Sequence, residues 1–194
     1  MKRALVILGI CCFLNTTKTN CQMSTNTYEL EMDKLLAKKN PNYYKGLKKT
    51  LSEFQLELIT KGLIENETYH SLLELLKKIS KDAKFNFDIE YDLKERLKEL
   101  GEGITNIMPS IESSLIAQNY LNIENSKDFT FNQKISKLVN DGQELNRSKI
   151  ADLIMEIYDQ NDFELLLIKL KMFRFIDPKS DFIVPVYAGK PTRE

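Results

Sequence analysis

The chain of 194 residues has no tryptophan, one histidine, three cysteines, seven glycines and five prolines. Each shortage narrows what the protein can be. With a single histidine, a His-dependent mechanism would have to run through His70 in "ETYHS". That segment reads as the first turn of a capped helix, where a histidine is expected half-exposed. Cys11, Cys12 and Cys21 all fall within the first 21 residues. The rest of the chain therefore has no thiol nucleophile, no Cys-based metal site and no disulfide to support its core. Few glycines leave little material for phosphate-cradling loops, and no G-x-S-x-G, H-E-x-x-H or dinucleotide fingerprint is present. Scarce Gly and Pro with no Trp also count against carbohydrate-binding β-sandwich modules.

Charge of one sign is missing too. There are 28 basic and 28 acidic residues, a net charge of zero, so no broad field favours nucleic acid. Phe129, Phe131, Phe173 and Phe175 alternate along the chain without the basic stripe that stacking and phosphate contact require.

What is present begins with "MKRALVILGICCFLNTTKTNCQM". Lys2 and Arg3 precede an apolar run of 11 residues, Ala4 to Leu14, and a polar stretch follows. This is the layout of a secretory signal peptide, and the run is too short to span a bilayer. Cleavage is expected after Cys21, leaving a chain from Gln22 with 25 basic and 28 acidic residues once Lys2, Arg3 and Lys18 are gone. The alternative is a lipoprotein anchored at Cys21, although Lys18, Thr19 and Asn20 lack the Leu and small residues typical of such sites. The Lys, Asn, Ile and Glu bias suggests an AT-rich bacterial genome.

The remainder suits a mainly α fold, helical hairpins packed as a single small domain, with room for one or two short strands; α+β is the alternative. The organisation expected is a signal peptide at 1–21, a lead-in and short helix at 22–43, a helical domain at 44–178 and a tail at 179–194. Leu47, Leu51, Phe54 and Leu58 mark one helical face over 44–63, and Gly62 stands near its end. Asn66 or Thr68 can cap the next helix, which carries Tyr69, Leu72, Leu73, Leu76 and Ile79 and completes a hairpin near residue 82. Phe85, Phe87, Ile89 and Tyr91 alternate with polar residues, which predicts a strand at 86–91, followed by a helix from Asp92 to Leu100. Further helices are expected over 111–121, from Asn132 and over 148–158 behind Asn146, and an edge strand over 182–187. Gly62, Asn66, Leu72, Leu73 and Leu76 find an echo in Gly142, Asn146, Leu153, Ile154 and Ile157. Any two helical hairpins would look about this similar.

Several acidic groupings invite chemistry. Asp88, Glu90 and Asp92 would share a strand face, and Asp159 and Asp162 bracket a helix boundary. "NDGQELN" fails as a calcium loop, because Lys137, Val139 and Ser148 occupy ligand positions. Solvated charges and helix caps account for all of these acids. Asn66-Glu67-Thr68 and Asn146-Arg147-Ser148 match N-glycosylation acceptors, yet both sit where a cap is wanted. No catalytic, cofactor-binding or metal-binding residue is therefore expected, and no cofactor.

The most apolar late stretch, "FELLLIKLKMFRFI", is too short and too charged for a membrane span. Phe163, Leu166, Leu167, Leu170 and Phe173 share one helical face, which predicts a buried helix rather than a central strand. Should that face be exposed, it becomes the first candidate for a partner or lipid surface. Taken together, these features predict an exported, non-enzymatic protein that binds another protein or an envelope component, with no nucleic-acid partner. Membrane contact is expected only through a lipidated Cys21 or an exposed amphipathic face. A carboxylate-dependent hydrolase or metal-dependent enzyme is the alternative from another class.

Overall fold

A computed structural model describes residues 27–82, 84–101 and 126–180. The signal-peptide segment, Cys21, the helix expected at 111–121 and the strand expected at 182–187 lie outside those residues. Among the described residues the chain forms eight α-helices and no strand, so the fold is mainly α.

Helix α1 spans Thr27–Lys39 and α2 spans Pro41–Thr60. Asn40-Pro41 separates them and also starts the second. Pro41 sits in the first turn, where its missing N–H leaves no hydrogen bond unmade, and Asn40 Oδ1 accepts the Tyr43 N–H at 3.1 Å. The expected apolar stripe of α2, Leu47, Leu51, Phe54 and Leu58, is buried.

Helix α3 spans Tyr69–Lys81 behind an N-cap at Thr68, and α4 spans Leu93–Glu99 behind Asp92. The α3 face buries Leu72, Leu75, Leu76 and Ile79, so Leu75 takes the inward place expected of the half-buried Leu73. Helix α5 spans Lys127–Asn140 and begins ahead of the expected Asn132, because Ser126 accepts the Phe129 N–H and caps it. Helix α6 spans Arg147–Ile157, capped as expected by Asn146.

Both α2 and α5 end on a glycine of positive φ, Gly62 at 68° and Gly142 at 70°, a conformation that penalises a Cβ. The two helix–glycine–helix units meet through their second helices. Among the described helices the broadest contact is α3 against α6, rather than α3 against its neighbour in sequence, α2.

Two expectations need correction. Residues 86–91 have no regular secondary structure and bend at Glu90, with Ile89 buried, Phe87 and Tyr91 half-buried, and Asn86, Asp88 and Glu90 exposed, and they pair with no strand among the described residues. The burial alternation was legible; the ladder it implied is replaced by side chains. Glu57 accepts the Glu90 N–H at 2.9 Å, Lys179 donates to the Glu90 carbonyl at 3.2 Å, and Arg147 reaches the Phe85 carbonyl at 3.4 Å.

The second correction concerns Phe163 to Ile176, which is not one helix. A short α7, Gln160–Phe163, stops at Glu164, and α8 runs over Leu166–Ile176. Helix α8 is apolar nearly all round, burying Leu166, Ile168, Leu170, Met172, Phe173, Phe175 and Ile176, as a helix enclosed on most sides must be. It packs on α1, α2 and α7. Phe173 stands at its centre, 5.2 Å from the Phe54 ring and 6.2 Å from that of Phe163.

Candidate functional site

The candidate is a polar network where α1, the start of α5, the end of α6, α7 and α8 meet. On α1, Glu29, Met32, Asp33 and Leu36 form one buried stripe, so two carboxyl groups occupy positions that an amphipathic helix gives to apolar side chains. Each is used by a helix far along the chain. Glu29 Oε1 accepts the Asp128 N–H in the first turn of α5 at 3.0 Å. Asp33 accepts the N–H groups of Leu166 and Leu167 at 3.2 and 3.1 Å, and the Tyr44 hydroxyl at 3.2 Å. The residue at the α8 N-cap, Leu165, has no side-chain oxygen to offer. Asp33 therefore supplies both the acceptor and the negative charge that a helix N-terminus favours. This external cap explains why α8 starts afresh at Leu166.

Around Tyr158 the charges are ordered in two groups. Lys127 donates to Asp159 at 2.8 Å and to Asp162 at 2.5 Å, and Asp159 and Asp162 form a capping box on α7. Asp128 accepts the Tyr158 hydroxyl at 2.6 Å and pairs with Lys171 at 2.5 Å. Lys171 also lies over the rings of Phe131 and Tyr158.

Burial pushes Glu29 above the ordinary carboxylate range, beyond what the Asp128 N–H can restore. Burial also raises Asp162, because Lys127 divides its charge with Asp159 and does not fully compensate the enclosed partner. Burial works against the Lys127 ammonium, yet its hydrogen bonds to Asp159 and Asp162 prevail and raise it. Asp159 is exposed and its slight desolvation pulls it upward, but Lys127 and two backbone N–H groups hold it below its ordinary value. Burial drives the Tyr158 phenol far upward, so it stays a hydrogen-bond donor.

Four carboxyl groups, Glu29, Asp128, Asp159 and Asp162, thus face two ammonium groups. Oε2 of Glu29 and Oδ1 of Asp162 have no hydrogen-bond partner and are fully enclosed. Unequal carboxyls beside a lysine can carry acid–base chemistry, but only where a substrate can reach them. Glu29 is 3% exposed, Tyr158 2% and Asp162 0%. Two surface grooves, of about 450 and 670 Å³, are lined by other residues. The first lies between Asn86–Asp88 and Pro178–Lys179, the second along α5 from Phe129 to Asp141.

A second polar hub joins the other end of α8. Arg147 donates to the carbonyls of Phe175 and Ile176 at 3.4 and 3.0 Å, and lies between the rings of Phe87 and Phe175. It closes the α8 C-terminus as Asp33 closes the N-terminus. Burial lowers its pKa, against the pull of nearby Asp177.

The residues singled out from sequence are dispersed. His70 is exposed in the first turn of α3. Asp88, Glu90 and Asp92 point outward; Glu90 pairs with Lys61 at 2.8 Å and Asp92 caps α4. Phe163, Leu166, Leu170 and Phe173 are in the core and Leu167 is half-buried, so these five present no exposed apolar face. Cys21 lies outside the described residues. Among the described residues no three His, Cys, Asp or Glu side chains are grouped to hold a metal ion, and no helix is long and apolar enough to cross a membrane. Glu29, Asp33, Asp128, Tyr158 and Lys171 were missed. The available signal was the placing of Glu29 and Asp33 on the Met32–Leu36 stripe. Compared with protein-family models, curated proteins and solved structures, the chain matches none.

Proposed function

We propose that this is an exported, non-catalytic binding protein: a helical body that meets a protein or an envelope component through its surface. One observation carries the reading. Glu29, Asp33 and Asp162 are enclosed and the network's acids are spent on helix ends and lysines, while the described groove along α5 is lined by a different, mostly amide and ammonium set. Asn132, Gln133, Lys134 and Asn140 along α5 offer hydrogen-bonding groups to a partner. The N-terminal signal-peptide layout supplies the argument for export.

The test is to fractionate the native host and weigh the mature chain. A photo-crosslinking residue at Asn140 is then compared with one at exposed Lys49 of α2 in intact cells. The expected result is a chain beginning at Gln22, with one crosslinked partner from Asn140 and none from Lys49. A retained Met1 in the cytosol would overturn export. Hydrolytic turnover abolished by Asp128→Asn and Asp162→Asn would overturn the non-catalytic reading.

A further inference from the structure

The two Asn-x-Ser/Thr motifs look equivalent in sequence, but the fold treats them differently. At Asn146 the helix-capping explanation is complete. Its Oδ1 accepts the Lys149 N–H at 3.0 Å, and the neighbouring Arg147 is clamped between two rings. The Ser148 hydroxyl donates to the Ser80 carbonyl across the α3–α6 seam. The Asn146 amide nitrogen makes no hydrogen bond among the described residues, but residues 146–148 are half-buried and the motif's hydroxyl is committed to the seam.

At Asn66 capping explains nothing, because Thr68 caps α3 in its place, accepting the Ser71 N–H at 3.3 Å. Asn66 Oδ1 accepts the N–H and the hydroxyl of Thr68 at 3.0 and 2.5 Å. Its amide nitrogen makes no hydrogen bond among the described residues. Residues 65–68 are all exposed. The loop is nevertheless firmly held. Ser71 Oγ accepts the N–H groups of Glu65 and Asn66 at 3.0 and 3.1 Å, and buried Gln55 donates to the Glu67 carbonyl at 2.8 Å. A fixed, outward-facing turn thus brings the motif's amide and hydroxyl together, with a free nitrogen at its edge.

We propose that Asn66 is an N-linked glycan acceptor and that Asn146 is not. The inference rests on the export reading, since the donor, a saccharide carried on a polyprenyl diphosphate, is met on the export route. In the transfer, the Asn66 amide nitrogen bonds to the anomeric carbon of the saccharide. The bond from that carbon to the diphosphate oxygen breaks with its electron pair, and the proton lost from the amide neutralises the departing diphosphate. No electron is gained or lost. The Lys, Asn, Ile and Glu bias reflects base composition, which AT-rich bacterial and eukaryotic genomes share, and does not oppose this. A glycan at Asn66 projects into solvent, whereas one at Asn146 would crowd the seam where Ser148 meets Ser80.

The test expresses the full chain, with its own N-terminus, in insect cells and analyses secreted protein by peptide mass spectrometry before and after peptide-N-glycosidase. The expected result is Asn66 occupied, then converted to Asp by the enzyme, with Asn146 bare. One mobility step should disappear in Asn66→Gln and persist in Asn146→Gln. Thr68→Asp keeps a helix cap while destroying the motif, so it should lose the same step without loss of secretion. A secreted chain with Asn66 bare, or with Asn146 occupied, overturns the proposal while leaving export intact. A cytosolic chain retaining Met1, read from the same digest, overturns both.

Discussion

Removing the carboxylate of Asp33 should loosen a helix that lies 133 residues further along the chain. In Asp33→Ala, the N–H groups of Leu166 and Leu167 lose their acceptor, and the cavity is too enclosed for bulk water to replace it; Asp33 itself is 7% exposed. A buried donor left unsatisfied costs about 1–3 kcal/mol; the Leu166 N–H is buried and the Leu167 N–H partly so, and together they give about 3 kcal/mol. The Tyr44 hydroxyl, half-buried, adds little because it can turn towards solvent. At roughly 2–4 °C per kcal/mol for a chain of this size, the melting temperature should fall by about 6–12 °C. Asp33→Asn keeps one acceptor oxygen and loses the charge, so it should show about half the effect. Tyr44→Phe should cost less than about 1 kcal/mol. Urea unfolding followed by far-UV circular dichroism gives the energies, and amide exchange at Leu166 and Leu167 gives the location. An Asp33→Ala variant within about 0.5 kcal/mol of the parent, or unchanged protection of those amides, would refute the account of α8 as a helix capped from α1.

Burial holds Glu29 and Asp162 above their ordinary values, so their protons stabilise the fold below the unfolded carboxylate range and that contribution is lost as pH rises through the raised folded values. Glu29→Gln, which keeps the acceptor for Asp128 N–H, should therefore equal or exceed the parent in stability at neutral pH, the gain shrinking towards the ordinary carboxylate value of 4.5; urea midpoints across the interval check this, and a loss at neutral pH counts against it. Arg147→Lys conserves charge but cannot span the Phe175 and Ile176 carbonyls while stacking on both rings, so a loss of about 1–2 kcal/mol is expected in the same assay. Phe173→Ala leaves a hole between Phe54 and Phe163 and should cost about 3–5 kcal/mol, close to the limit for folding at physiological temperature, as read from the melting curve.

The helices legible in the sequence are those whose start and stop are written locally. Asn40-Pro41, Asp92, Asn146 and the glycines at 62 and 142 each settle a boundary within a few residues of themselves. The boundaries that escaped are set at a distance. The α7–α8 break depends on Asp33, and the run from Phe163 to Ile176 gives no local sign of it beyond the absence of a capping residue at Leu165. The 86–91 segment shows the same limit from the other side. Its alternation correctly forecast which side chains face inward, but alternation says nothing of whether a neighbouring backbone or a set of side chains will meet the carbonyls and N–H groups. The candidate network combines both difficulties. Lys127, Asp128, Tyr158 and Lys171 are ordinary residues in three separate segments, and only their convergence makes them unusual.

The reliance of α5 and α8 on acids from α1 has a consequence for the order of events in synthesis. Glu29 and Asp33 are made early, but the N–H groups they serve belong to residues 128, 166 and 167. The first helix therefore carries Glu29 without its N–H partner until residue 128 is made, and Asp33 without its two N–H groups until residue 167. Contacts spanning such separations form slowly, because the loop must close before it is rewarded. The α3–α6 seam needs neither acid and can close before the last helices arrive, whereas a ribosome-stalled fragment ending before Leu166 should expose the Met32–Leu36 stripe to chaperones or to a translocation channel.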